Sequence, residues 1–252
     1  MTGLFSISII TLFLLPAVHM QTGNEQRHPA EPEMIFVEGG TFLMGCNDED
    51  GKDCLNDENP QHRVTLGSFY IGKYPITQKQ WKAVMGSNPS EFKSDNHPVE
   101  TVSWDDAQEF IRRLNAATGK QYRLPTEAEW EFAARGGNKS QGYKYSGSNN
   151  LNDVALNNEN SGNHTHPVGT KQPNELGIFD MSGNVWEWCC DWYGNYRSSQ
   201  QSDPKGPSSG TYRVDRGGSW IDDAFYCRVS GRDSSSQDDY AINLGFRIVL
   251  SI

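Results

Sequence analysis

The chain has 252 residues and a formal net charge of −10, from 22 Lys and Arg against 32 Asp and Glu. That length is enough for a domain with a sizeable core. With 35% hydrophobic residues, 25 Gly and 7 Trp, the composition predicts irregular backbone held by large buried rings. It excludes a coiled coil, a polytopic membrane protein and a disordered chain. No basic patch interrupts the acidic balance, so we predict no nucleic-acid partner.

The N-terminal residues predict export. Residues 4–18 are uncharged and apolar, and a polar stretch follows them. This suits the hydrophobic part of a secretory signal and is short for a bilayer-spanning helix. We interpret residues 1–20 as a signal peptide, with an uncleaved anchor as the alternative, 21–33 as a polar linker and 34–252 as a single domain. We therefore expect a periplasmic, secreted or cell-surface protein.

Export permits disulfides, and the chain has five cysteines. Cys46 and Cys54 flank an acidic loop, for which we predict a local bridge. We expect Cys227 to pair with Cys189 or Cys190, which leaves one thiol over. A metal cluster is disfavoured, because no second CxxC or Cys/His set has zinc-like spacing.

Alternating and apolar runs predict strands at both ends of the domain. Residues 34–45 read as two strands around a Gly-Gly turn, residues 63–74 as two more, and residues 245–250 as a terminal strand. Residues 137–172 are rich in Asn, Gly and Ser and show little periodicity, which predicts a long irregular stretch.

Three helices carry start and stop signals. A Ser or Thr hydroxyl can cap the first turn, and a glycine can end the last one. The predicted helices begin after Thr77, Ser103 and Thr126 and end before Gly86, Gly119 and Gly136.

An ordered set of motifs occupies the second half of the chain. The motifs are RLPTEAEWE at 123–131, NELG at 174–177, DMSGNVWEW at 180–188, RGGSW at 216–220 and NLGFR at 243–247. Together they resemble the formylglycine-generating enzyme family, also called sulfatase-modifying factors, over about 34–252. The resemblance implies an irregular, single-domain α+β fold related to C-type lectins.

Active members of that family oxidise a substrate cysteine with a copper(I) ion held by two thiolates, the soft ligands that this ion prefers. Counting from Ser219, the first ligand position is Asp222, a hard oxygen donor, and the second is Cys227. Counting back from Arg232 instead places the second ligand at Ala224 and makes Cys227 structural. On either count one thiolate is missing, so the resemblance implies the loss of standard copper chemistry.

The resemblance also implies a groove. Trp186 and Ser219 match residues that line the oxygen and substrate pocket of active members, and with Cys227 they are the catalytic candidates if activity survives. The favoured alternative is structural, with Trp186, Trp188 and Trp220 anchoring the core and Ser219 bonding to backbone. The predicted groove residues are Trp220, Asp222, Asp223, Tyr226 and Arg228.

A calcium site is implied at the DMSGNVWEW turn. Its ligands would be side-chain oxygens of Asp180 and Glu187 and backbone carbonyls of Gly183 and Val185. The alternative is a capped turn in which Glu187 pairs with an arginine such as Arg216.

We expect an exported binding or assembly module with a polypeptide partner in the groove. Calcium is the expected cofactor, and copper only if oxidase activity remains. One alternative is an oxidase that converts a sulfatase cysteine to formylglycine. The other is a lectin-like ligand-binding protein, prompted by the fold relationship and the aromatic content.

Overall fold

The computed structural model describes residues 28–46 and 54–252. The predicted signal peptide, most of the predicted linker and the acidic loop between Cys46 and Cys54 lie outside these residues. Within them, no helix is both long and apolar enough to cross a lipid bilayer.

Within the described residues, short strands form three small sheets. The strands are β1 (Met34–Val37), β2 (Gly40–Met44), β3 (His62–Leu66), β4 (Phe69–Gly72), β5 (Tyr122–Arg123), β6 (Trp186–Trp192), β7 (Gln201–Ser202), β8 (Tyr212–Arg216), β9 (Arg232–Ser236), β10 (Leu244–Gly245) and β11 (Val249–Ser251). The sheet orders are β1-β4-β11-β5, β10-β6-β8-β9 and β2-β3-β7.

The helices are α1 (Gln78–Met85), α2 (Trp104–Thr118), α3 (Glu127–Ala134) and the single-turn α4 (Leu151–Val154). The hydroxyls of Thr77, Ser103 and Thr126 accept the N–H three residues further on, which confirms the predicted caps. Gly86 and Gly119 end the first two helices with φ of 80° and 71°. These left-handed conformations are easily adopted only by glycine.

The strands predicted in 34–45 and 63–74 are confirmed, but they divide between two sheets. β1 pairs antiparallel with β4, and β2 pairs antiparallel with β3. The predicted terminal strand is split into β10 and β11, because the chain leaves the sheet of β6 after Gly245 and joins the sheet of β4 at Val249. The crossing carries Phe246 and Arg247 into the core.

Two large apolar clusters lie on opposite faces of β6. Trp188 packs into the cluster that contains Trp81, Phe110 and Phe246. Cys189, its neighbour in sequence, packs into the cluster around Trp130 and Phe132, because successive strand residues point to opposite faces. Ala30 is fully buried in the first of these clusters. Residues 28–33, interpreted as the end of the linker, therefore pack against the domain.

The predicted local disulfide is confirmed: Cys46 and Cys54 are bonded, with Cα atoms 5.8 Å apart. The predicted bridge of Cys227 is wrong, because Cys227, Cys189 and Cys190 are all free thiols. Cys227 is buried with Tyr145, Leu151, Val154 and Ala155. Cys189 lies in the cluster around Trp130 and Phe132, and Cys190 packs against the Trp188 cluster on the other face of β6.

Replacing both Cys46 and Cys54 with Ser is expected to lower the free energy of unfolding by about 2 kcal/mol, since the bridge closes only a short loop of the unfolded chain. Denaturant unfolding of the two proteins measures the difference. Reductant should destabilise the wild type by the same amount and leave the double variant unchanged. Equal stability of the two oxidised proteins would contradict the prediction.

Candidate functional site

The turn after β8 positions the predicted site residues. Gly217 and Gly218 have φ of 102° and 70°, which lets the chain reverse direction at the end of the strand. A Cβ on Gly218 would lie 2.8 Å from the sulfur of Cys227. The turn therefore packs directly on that buried thiol and directs Ser219 and Asp222 back toward β6.

Asp222 joins the predicted catalytic candidates. Its Oδ2 accepts a hydrogen bond from Trp186 Nε1 at 2.8 Å and another from the Ser219 hydroxyl. The side-chain amide of Asn243 donates to Ser219 Oγ at 3.1 Å. Burial raises the pKa of Asp222, and the bonds from Ser219 and Trp186 oppose that rise. The structure thus brings Trp186, Ser219 and Asp222 together in one hydrogen-bonded cluster.

Cys227 is adjacent to this cluster but enclosed by apolar side chains. Burial, followed by the charges of Asp222 and Asp223, raises the pKa of the thiol. A thiol in such surroundings stays protonated at neutral pH, whereas copper(I) binds the thiolate. Among residues 28–46 and 54–252, no three His, Cys, Asp or Glu side chains are grouped so as to hold a metal ion.

The open surface beside the cluster is apolar with one acidic side chain. Tyr226 is 40% exposed, and its ring meets that of Trp186 edge-on with centroids 6.3 Å apart. Asp223 is also exposed, as are Ile221 (51%) and Ile242 (41%). We call these four exposed residues, Ile221, Asp223, Tyr226 and Ile242, the groove surface, after the groove that the resemblance implies.

Two predicted groove residues do not lie on that surface. Trp220 is buried, donating Nε1–H to the carbonyl of Ile242 at 3.1 Å while its ring packs on Phe92. Arg228 is fully buried and forms two bonds, of 2.7 and 2.5 Å, to the carboxylate of Glu58. Their prediction as groove residues was wrong because Glu58 and Phe92 come from segments distant in sequence.

The predicted calcium turn contains an ion pair. Glu187 accepts two bonds of 2.6 Å from Arg247 and one of 2.7 Å from Trp130 Nε1. Asp180 Oδ2 accepts the N–H of Gly169 at 2.7 Å, and burial raises the pKa of Asp180 to about 6. As placed, these side chains do not fit a calcium ion, because a guanidinium already occupies the Glu187 carboxylate. Calcium at this turn, with the carbonyls of Gly183 and Val185, stays a prediction.

The partner of Glu187 is thus Arg247, while Arg216 bonds to Glu131. Sequence reasoning anticipated an arginine at Glu187 but not that it is Arg247. It missed the other buried arginine–glutamate pairs, which are Arg216 with Glu131, Arg228 with Glu58 and Arg232 with Glu127. The sequence did contain a signal for these pairs, because the RLPTEAEWE motif places three glutamates among apolar residues. In the structure, the helix that carries them is buried on all sides.

A polar cleft of about 350 Å³ also escaped prediction. His62, Asp191, Tyr196 and Lys205 are among its lining residues, and none of the Trp186–Ser219–Asp222 cluster takes part. Burial and the charge of Glu127 raise the pKa of Asp191 to about 7.

Comparison with known proteins agrees with the motifs. The model of the sulfatase-modifying factor enzyme 1-like domain matches residues 20–252. The chain is 37% identical to the chaperone protein LppX of Paenibacillus barcinonensis, covering 87% of this chain and 89% of that one. It is 32% identical to the formylglycine-generating enzyme of Streptomyces coelicolor, covering 92% and 93%.

Among solved structures, Treponema denticola variable protein 1 superimposes with a TM-score of 0.80 at 33% identity, covering 87% of this chain and 95% of that one. The single-domain α+β fold is thereby confirmed, while its relationship to C-type lectins stays a prediction. From the family model and these identities, the chain belongs to the sulfatase-modifying factor family, to which the motifs of its second half had pointed.

Proposed function

We propose that this protein is an exported binding or assembly module that has lost the copper oxidase chemistry of its family. One observation carries the proposal: the carboxylate of Asp222 takes the hydrogen bonds of Trp186 and Ser219. By the resemblance, Asp222 stands at the first copper-ligand position, so a hard oxygen donor replaces a soft thiolate.

The second ligand position supports the same conclusion. If Cys227 is that position, its sulfur is enclosed in an apolar cluster and its pKa is raised by burial. If Ala224 is that position, there is no sulfur at all. A pair of reactive thiolates is absent in both alignments.

A binding role is supported by the groove surface. Ile221, Tyr226 and Ile242 expose apolar area, and Asp223 adds a negative charge. Such a surface suits a polypeptide segment with apolar and basic side chains. The relative named as a chaperone aligns over 89% of its length, which agrees with a polypeptide partner. The Cys46–Cys54 bridge supports an oxidising compartment and hence export.

The alternative function is formylglycine-generating oxidase activity. It is supported by the relatives that carry that name, at 31% to 35% identity. In that case Cys227 would have to bind copper with a partner other than a second thiolate at position 222.

Copper binding and turnover separate the two functions. We expect no tight 1:1 copper(I) complex in competition with a chromophoric chelator, and no oxygen consumption with a peptide containing Cys-x-Pro-x-Arg. The Streptomyces coelicolor enzyme serves as the positive control. Stoichiometric copper binding together with turnover would overturn the proposal.

The binding role is tested with a fluorescent peptide selected from a library. Replacing Tyr226 with Ala is expected to weaken binding about tenfold, since an exposed aromatic anchor contributes about 1–2 kcal/mol. Tyr212→Ala is the matched control, because Tyr212 is also exposed but lies at the far end of β8. Equal loss in both variants, or no selected peptide, would contradict the role of the groove surface.

A further inference from the structure

Two aspartates face each other across neighbouring strands. Asp215 on β8 is in direct register with Asp233 on β9. Residues directly opposite on antiparallel strands project from the same face with Cβ atoms about 5 Å apart, and like charges there are destabilising. Burial and the charge of Asp233 raise the pKa of Asp215 well above its usual value, so a proton or a cation is needed to offset the repulsion.

Among the described residues, the Ser235 hydroxyl is the side chain that chiefly opposes that rise in pKa, through a hydrogen bond to Asp215. Asp215 is only 3% exposed, and its Oδ2 has no hydrogen-bond partner. The carboxylates of Asp233 and Asp222 act on it more strongly than the cation Arg216, whose guanidinium is bonded to Glu131. A buried carboxylate oxygen without a donor is strongly disfavoured.

The pair is open to solvent on one side, because Asp233 is exposed. The Ser235 hydroxyl also lies close enough to Asp215 to stabilise its charge. A buried oxygen, an accessible carboxylate and a hydroxyl are hard oxygen donors, the kind that bind calcium and magnesium.

We propose that Asp215 and Asp233 bind a hydrated divalent cation of the hard class, calcium or magnesium. Oδ2 of Asp215 and the carboxylate of Asp233 are the protein ligands. Because no three acidic, His or Cys side chains in the described ranges are grouped for a metal, water supplies the other ligands. Cations of this class are often held by one or two carboxylates and several waters.

This site is separate from the predicted calcium turn. Asp215 is in register with Trp188 of β6, whereas Glu187 is in register with Arg216. Since adjacent strand residues point to opposite faces, Asp215 and Glu187 lie on different faces of the sheet. The cation would also reduce the negative field at Asp222, whose pKa is raised in part by Asp233.

The test uses the chelator-treated full chain. We expect saturable 1:1 binding of calcium or magnesium by isothermal titration calorimetry and a rise in melting temperature. Asp215→Asn and Asp233→Asn should each weaken binding at least tenfold. The matched control is Asp238→Asn, an exposed acid just beyond β9, and Asp180→Asn reports on the predicted calcium turn; both should bind as the wild type does.

Three results would overturn the proposal. One is no binding at millimolar cation, and another is binding that Asp180→Asn abolishes while Asp233→Asn leaves it intact. The third is stabilisation on lowering the pH from 7 to 5 with no effect of cation, which would mean that the pair shares a proton instead. Because Asp233 is exposed, its variant keeps the test valid even if Asp215→Asn fails to fold.

Discussion

Replacing Arg247 with Met is expected to lower the free energy of unfolding by about 3–5 kcal/mol, the usual cost of leaving one partner of a buried ion pair uncompensated. Arg247 is fully buried, and besides Glu187 it donates to the carbonyls of Gly72 and Phe179, both at 2.9 Å. Methionine fills similar space but supplies no donor. The Glu187 carboxylate would keep the Trp130 indole but lose its cation, and the carbonyls of Gly72, Phe179 and Asp180 would lose this donor. Denaturant unfolding measures the loss.

Two further variants show whether the loss of stability comes from the buried ion pair. Adding Glu187→Gln to the Arg247 variant should recover part of the stability, because the isolated charge is then gone. Arg112→Met removes an exposed pair with Glu109, and we expect no measurable change, since surface pairs contribute little. If the Arg247 variant is no less stable than the Arg112 variant, the buried pair does not have the role assigned to it.

The second large effect is expected from Gly183→Ala, at about 3–5 kcal/mol. Gly183 has φ of 77°, a left-handed conformation that costs an alanine about 1 kcal/mol. Its Cβ would also overlap the carbonyl oxygen of Leu156 and lie 2.9 Å from the carbonyl carbon. That backbone cannot easily move, because the same oxygen accepts the N–H of Asn184 at 2.8 Å.

Gly177→Ala isolates the steric part of this cost. Gly177 has φ of 83°, yet a Cβ there would meet nothing within 4 Å. We expect it to lose only about 1 kcal/mol, from the backbone conformation alone. Thermal or denaturant unfolding of the two variants gives the difference, and equal losses would show that the contact with Leu156 relaxes at no cost.

The local parts of the fold could be predicted from the sequence. Helix starts depend on a hydroxyl and an N–H three residues apart, so Thr77, Ser103 and Thr126 were sufficient to place them. The Cys46–Cys54 bridge is likewise a short-range feature. The family motifs identified the fold, because they include the glycines and tryptophans that its turns require.

The candidate site was less predictable, because the residues that surround it come from segments far apart in the sequence. Counting along the chain placed Arg228 on the groove, but its charge is neutralised by Glu58, a residue 170 positions earlier. The predicted disulfide of Cys227 was wrong for a similar reason, because the spacing of cysteines does not reveal which apolar cluster encloses a thiol. The sequence placed Trp186 and Asp222 at one site but did not predict the hydrogen bond between them. That bond depends on the direction in which the Gly217–Gly218 turn points Asp222.

The position of β11 has a consequence for the order of folding. This strand lies between β4 and β5 in its sheet, although those two strands precede it by half of the chain or more. During synthesis, β4 and β5 must wait with open edges until residues near 250 have emerged, and such edges are sites of misassociation. We therefore expect this sheet to form late and cooperatively. A chaperone would be most useful in the interval before β11 is inserted.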